Sequence, residues 1–179
     1  MNKETILDAL SELGSLAKEK GIQLEVSIYG GAAFMLAFDS RAATKDIDAI
    51  LKPREEGEKL VVQVARRLDM PEDWLNSNVK QFVSPLQEAR RRLIEIEERT
   101  GLTVFVPSTR YLLAMKALAC RRPLPGYLGD QEDLQFLIRK MNIQSVEAIQ
   151  EAIDSFFPDD IVSAENRAYL ESLIQQAHA

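Results

Sequence analysis

The sequence predicts an α/β (α+β) protein, a small mixed sheet flanked by helices with a helical C-terminal part. Three observations carry this prediction. Residues 1–107 interleave short β-rich segments with amphipathic helices, and residues 108–179 repeat apolar residues only at helical spacing. A β-rich segment runs directly into Gly30-Gly31, which opens a second apolar helix. The next segment, Asp46 to Leu51, alternates acidic and apolar residues as a half-buried strand does. The 179 residues suit one α/β core, residues 1–107, with a helical part, residues 108–179, packed on it.

The elements follow in order. Ile6, Leu7, Leu10, Leu13, Leu16 and Ala17 define one face of a helix over residues 3–20, ended by Gly21. Leu24 to Tyr29 reads as a strand, Ala32 to Phe38 as a buried helix, and residues 39–44 as a loop. The strand from Asp46 to Leu51 is closed by Pro53, and an amphipathic helix follows over residues 55–69. Pro71-Glu72-Asp73 is expected to start a short helix through Trp74-Leu75, with Trp74 in the core. Glu95 to Arg99 and Leu102 to Val106 read as two strands across a turn at Thr100-Gly101. Pro107-Ser108 caps a strongly apolar helix through Arg121. A Pro- and Gly-bearing loop over residues 122–129 precedes helices at about 130–141, 145–156 and 163–177.

Composition narrows the function classes. No apolar run is long enough to span a bilayer, and the charged first helix is unlike a signal peptide. Cys120 is the only cysteine, so no intrachain disulfide forms, and a cytoplasmic protein is expected. His178 is the only histidine, which disfavours His-based catalysis. A net charge of −6 argues against wholesale capture of nucleic acid. The charge is uneven, however. Residues 84–122 carry eight Lys or Arg against four Glu, whereas residues 142–179 carry one Arg, no Lys and seven acids. A basic middle suits a phosphate-bearing substrate; solvated helix faces would give the same pattern.

The chemistry concentrates in Ser27-Ile28-Tyr29-Gly30-Gly31 and in Arg41-Ala42-Ala43-Thr44-Lys45-Asp46-Ile47-Asp48. Glycines let the backbone approach a ligand closely, and a helix N-terminus offers free N–H groups to a phosphate. Residues i and i+2 of a strand face the same way, so Asp46 and Asp48 stand side by side. Two neighbouring carboxylates repel unless a cation joins them, and hard oxygen ligands completed by substrate phosphates are how Mg²⁺ is usually held. Taken singly, a Gly-Gly is a turn and an Asp-x-Asp a solvated strand; their order gives them meaning together.

This arrangement resembles the nucleotidyltransferase superfamily, the polymerase β-like fold. The stretch from Tyr29-Gly30-Gly31-Ala32-Ala33 through Arg41, Thr44, Lys45, Asp46, Ile47 and Asp48 is most similar to the branch with the abortive-infection type IV toxins (AbiEii-like, MenT-type) and related uncharacterised bacterial proteins. The segment Tyr111 to Arg121, the Asp130-Gln131-Glu132-Asp133 helix start and Trp74-Leu75-Asn76 extend the resemblance over residues 22–141. It implies Mg²⁺-dependent transfer of a nucleoside monophosphate from an NTP to an RNA, protein or small-molecule acceptor, with two ions accommodated. Asp46 and Asp48 would be the metal-holding catalytic pair. Gly30, Gly31, Arg41, Thr44, Lys45 and Arg121 would bind the nucleotide. Partners would include a small antitoxin or regulatory protein, and no membrane.

The superfamily often has a third carboxylate on a later strand. Leu102 to Val106 carries none, which leaves Glu95 and Glu97, expected on one strand face, and Asp130 and Asp133 as additional acids. Lys116 is a further catalytic candidate, because an ammonium inside an apolar helix needs an anionic partner. That partner is a substrate phosphate or a carboxylate; otherwise the side chain snorkels to water. Asp130 has the alternative task of capping its helix. The competing function is a catalytically inactive member of the fold that binds nucleotide or a protein partner.

Overall fold

The computed structural model describes residues 1–84, 90–127 and 129–179. Glu88 of the basic stretch and Leu128 of the 122–129 loop lie outside the described residues. Eight α-helices and a five-stranded mixed sheet occur among the described residues. The chain groups into two compact units, Met1–Gln81 with Arg90–Pro107, and 82–84 with Ser108–Ala179.

In the first unit, α1 (Lys3–Glu19) starts where the Asn2 side chain accepts the Thr5 N–H at 2.9 Å. β1 (Glu25–Ile28) leads into α2 (Gly30–Phe38), and β2 (Ile47–Lys52) into α3 (Arg54–Leu68). β3 (Leu75–Asn76), β4 (Arg90–Arg92), α4 (Ile94–Thr100) and β5 (Thr103–Pro107) complete it. The strand order is β3-β2-β1-β5-β4. β1 runs antiparallel to β2 and parallel to β5, β3 is parallel to β2, and β4 is antiparallel to β5.

Register sorts the side chains into two faces, since residues opposite one another point the same way. Val26, Ile28, Ile47, Ala49, Leu51, Val104 and Val106 form the apolar face, none more than 5% exposed. α3 packs there so tightly that a Cβ on Gly57 would lie 3.0 Å from Leu24 and 3.1 Å from Leu51. The other face carries Glu25, Ser27, Asp48, Ile50, Asn76, Phe105 and Arg90. A sheet with one apolar and one polar face explains the alternation of β2.

Two expected elements differ. Residues 95–99 are not a strand but most of α4. The alternation of Ile94-Glu95-Ile96-Glu97 imitates a strand, but the buried positions are Leu93, Ile96 and Thr100, which is helical spacing. Gly101, at φ 69°, ends that helix. Residues 71–75 do not form a helix either. The chain turns at Pro71, with Trp74 N–H donating to its carbonyl at 3.1 Å, and then pairs with the β2 edge. The Ile47 N–H donates to the Trp74 carbonyl at 2.8 Å, so edge pairing outweighs the helix start. Trp74 itself is 1% exposed, and its Nε1 donates to the Val61 carbonyl at 3.1 Å.

The second unit contains α5 (Thr109–Ala119), α6 (Gln131–Met141), α7 (Val146–Asp154) and α8 (Ala164–His178). Ser108, Ser145 and Ser163 cap α5, α7 and α8 by accepting backbone N–H groups. α5 packs on α6 and α7, and α6 on α8. The helix expected over residues 163–177 reaches His178, whose Nε2 lies 2.8 Å from the Ile143 carbonyl. Among the described residues no helix is long and apolar enough to cross a membrane.

The α1–α4 crossing supplies a test of the packing. A Cβ on Gly14 would overlap the Thr100 carbonyl oxygen and lie 3.3 Å from Leu102 Cγ. Ala is the better helix former by about 1 kcal/mol, but overpacking against backbone costs about 1–3 kcal/mol. Gly14→Ala is therefore expected to lower the unfolding free energy in urea. A stabilised variant would show that this crossing is looser than described.

Candidate active site

The first cluster of sequence-predicted residues lies in the first unit, where β1 ends and α2 begins. Gly30 has φ 58°, a conformation that other residues adopt only with strain. A Cβ there would sit 2.8 Å from Asp48 Oδ2, so the missing side chain leaves room for the carboxylate against the backbone. The Tyr29 N–H donates to the Asp48 carbonyl at 2.8 Å, which locks β2 beside the start of α2. Among the described residues no side chain caps α2 at its N-cap, Tyr29. Its first N–H groups stand at the positive end of the helix dipole, beside the Asp48 carboxylate.

The 39–44 loop brings further groups to the same place. A Cβ on Gly31 would collide with the Arg41 guanidinium and lie 2.9 Å from Thr44 Oγ1, so both side chains rest against the Gly31 backbone. Thr44 Oγ1 donates to the Asp46 carbonyl at 3.1 Å, and the Thr44 N–H to the Met1 carbonyl at 2.9 Å. Lys45 is exposed on the same segment, and Asp46 and Asp48 are half-buried. Asn76 Nδ2 donates to Asp46 Oδ2 at 3.1 Å. Asp48 thus meets Gly30, Arg41 and Thr44 meet Gly31, and Asn76 ties Asp46 to the edge strand beside Asp48.

The additional acids do not join them. Glu95 is exposed on α4, and Glu97 forms a bidentate pair with Arg92 at 2.6 and 2.9 Å. Residues i and i+2 of a helix lie on different faces, so the shared strand face expected for these two is absent. β5 offers Thr103, Phe105 and Pro107 to the polar face, none of them acidic. Glu25 shares that face but pairs with Lys52, four residues along β2 from Asp48, roughly 13 Å away at strand rise. Its carboxylate is held by Arg90 at 2.6 Å, and Arg90 lies 4.0 Å over the Phe105 ring. A groove of about 1100 Å³ opens at that same far end, beside Lys18, Lys52 and Thr103, away from the aspartate pair. Among the described residues no group of three or more His, Cys, Asp or Glu could hold a metal.

The second cluster lies wholly in the second unit. Lys116 Nζ is 2.6 Å from Asp130 Oδ1 and 2.7 Å from Asp133 Oδ2, with all three side chains nearly excluded from solvent. Arg121 adds its backbone N–H, Nε and Nη2 to Asp130, each at 3.0 Å. Asp130 occupies the N-cap position of α6, yet its carboxylate makes no capping bond because these cations hold it. Burial pushes the Asp130 carboxyl up, but Arg121 and Lys116 outweigh it and hold it below the ordinary carboxylate value. Of the alternatives for Lys116, the structure displays pairing with carboxylates, not snorkelling. Cys120, free and buried at the end of α5, has its thiol pushed up to about 11, chiefly by burial, which removes it as a nucleophile at neutral pH.

The mixed sheet with its flanking helices is that of a nucleotidyltransferase-like α/β protein. Over residues 4–172 the chain matches the family described as "Nucleotidyltransferase of unknown function (DUF6036)", and it belongs to that family. No curated protein and no solved structure matches it.

Asn76 is the site residue that sequence reasoning passed over. Its strand is two residues long, too short for any periodicity to announce it.

Two predictions follow from the second cluster. Lys116→Met leaves Asp130 and Asp133 buried without their shared cation, so stability is expected to fall by about 3–5 kcal/mol. Adding Asp130→Asn and Asp133→Asn should recover most of that loss. A change below about 0.5 kcal/mol in the single variant, the usual size for a solvated surface site, would show that the ammonium is not buried in solution. The second concerns pH. Because the folded pKa of Asp130 is depressed, its stabilisation is present in full above the unfolded value of about 3.9 and is lost as pH falls through the lower folded value. Asp130→Asn should flatten that acid limb of the stability–pH curve. Parallel acid limbs in wild type and variant would remove Asp130 as their source.

Proposed function

We propose that this chain moves a nucleoside monophosphate from an NTP to an acceptor in a Mg²⁺-dependent reaction at the junction of α2 and β2. The observation that carries the reading is the seat of the Asp48 carboxylate against Gly30, where a Cβ would be 2.8 Å away, at the N-terminus of α2. The donors suit Mg²⁺, since two carboxylates two residues apart, completed by phosphate oxygens, offer a hard oxygen set for one or two ions. Asp46 and Asp48 would hold the metal, which supplies charge neutralisation at the transferring phosphoryl group.

The chain's own residues do the rest in this reading. The N–H groups at Gly30 and Gly31 receive the triphosphate, with the α2 dipole favouring its charge. Arg41, Thr44 and Lys45 contact phosphate from the flanking loop. Fixed in place, the α-phosphorus exchanges its bond to the bridging oxygen of the β-phosphate for one to the acceptor, whose proton passes to solvent, and pyrophosphate departs with the bridging oxygen. Residues 1–107 act as the transferase core and 108–179 as its helical part, in a cytoplasmic setting. The acceptor is an RNA, a protein or a small molecule. A toxin role with a small antitoxin partner is supported by the segments that resemble the AbiEii/MenT-type branch. In that branch's pattern Lys116, Arg121, Asp130 and Asp133 also serve the reaction. Of these, Arg121 is the one whose side chain is largely exposed, at 58%.

A second reading is favoured by one observation. Since β5 brings no acid to the polar face, a non-catalytic member that binds nucleotide or a protein partner fits the same pair. Incubation with each labelled NTP, Mg²⁺ and total RNA separates the two, because transfer of label supports catalysis and binding without transfer supports the second.

The site itself has a simpler test. Mg²⁺ with an NTP should raise the melting temperature by mass action, and Asp46→Asn with Asp48→Asn should abolish the metal-dependent part while the fold persists. Equal NTP-dependent shifts in both proteins, with and without Mg²⁺, would remove the metal site from this place.

A further inference from the structure

We propose that Asn76 is a positioning residue for the metal pair, holding the Asp46 carboxylate in place from the neighbouring strand; this rests on the functional reading above. Asp48 and Asn76 are opposite one another in the parallel β2–β3 pair, so both side chains stand on the polar face, where Asn76 meets the Asp46 carboxylate. The Asn76 amide bridges two groups. Its Nδ2 donates to Asp46 Oδ2 at 3.1 Å, and its Oδ1 accepts the Asn78 N–H at 3.0 Å. The second bond fixes the orientation of the first. A backbone N–H can only donate, so the oxygen end must face Asn78 and the donor end must face Asp46.

This bridge addresses a specific difficulty. Asp46 lies just before β2, outside the ladder that fixes Asp48. Its carboxylate needs an outside partner to keep one orientation, and such hydrogen bonds to ligating carboxylates typically change metal affinity by roughly 10- to 100-fold when removed. An amide also supplies a donor without adding a third negative charge. That separates Asn76 from an acid at the same position, which would repel Asp46 until a cation arrived.

The decisive variant is Asn76→Asp. It keeps an oxygen for the Asn78 N–H, and so preserves the turn, but replaces the donor facing Asp46 with a carboxylate. Asn76→Leu, of similar size, removes both bonds. Mn²⁺ affinity is measured calorimetrically in the presence of a non-hydrolysable ATP analogue, and metal-free melting is recorded for each protein. The expected result for Asn76→Leu is Mn²⁺ affinity weaker by roughly 10- to 100-fold. For Asn76→Asp it is a lowered metal-free melting temperature that Mn²⁺ restores, with Mn²⁺ bound more tightly than by wild type. If wild type binds Mn²⁺ while Asn76→Asp matches it in both affinity and metal-free melting, the positioning role is overturned and the proposed function stands. A wild-type protein that takes up no Mn²⁺ with the analogue overturns both.

Discussion

The proposed site depends on the approach of the Asp48 carboxylate to Gly30. Any side chain at position 30 would displace it, and the φ of 58° there would strain any residue with a Cβ. Much else follows from that approach. β1 ends at Ile28, two residues earlier, β2 runs antiparallel beside it, and α2 leaves from the strand end so that its N-terminus lies beside the acid. The Tyr29 N–H to Asp48 carbonyl bond fixes this arrangement through the backbone. Gly31 repeats the device on the other side, where its bare backbone admits Arg41 and Thr44.

The two polar clusters obey opposite physics. Asp46 and Asp48 are half-buried, Asp48 on the polar face of the sheet and Asp46 just before β2. Asp130 and Asp133 are nearly inaccessible, and their charge is met inside the unit by Lys116 and, for Asp130, by Arg121. A pair of the first kind stays available to a ligand because water still compensates part of its charge. A pair of the second kind contributes chiefly by never losing its partner, since removing one member leaves an uncompensated buried charge. This contrast is why Asp46 and Asp48 are the pair proposed to hold the metal.

Much of this was legible in the residues. Gly-Gly after a β-rich segment, and Asp46 and Asp48 in alternation with Ile47 and Ala49, located the strand–helix–strand unit because both signals are local. Ser108 marked a helix start for the same reason. The failures were of two kinds. Ile94-Glu95-Ile96-Glu97 satisfies strand alternation over four residues, and only burial at Leu93, Ile96 and Thr100 reveals the helix. Leu75-Asn76 is a strand solely because the β2 edge is there to receive it, a nonlocal cause that no window of sequence contains. Lys116 was recognisable as an ammonium in need of an anion, but whether protein or substrate supplies that anion depends on the fold of the 121–130 loop.

The most direct measurement is a crystal structure grown with Mn²⁺ and a non-hydrolysable nucleoside triphosphate, with the metal located by its anomalous signal. The account predicts a peak coordinated by Asp46 and Asp48, with the triphosphate at the Gly30-Gly31 end of α2. A metal and triphosphate bound at Asp130 and Asp133, or at Glu95 and Glu97, with the β2 pair left uncoordinated, would contradict it.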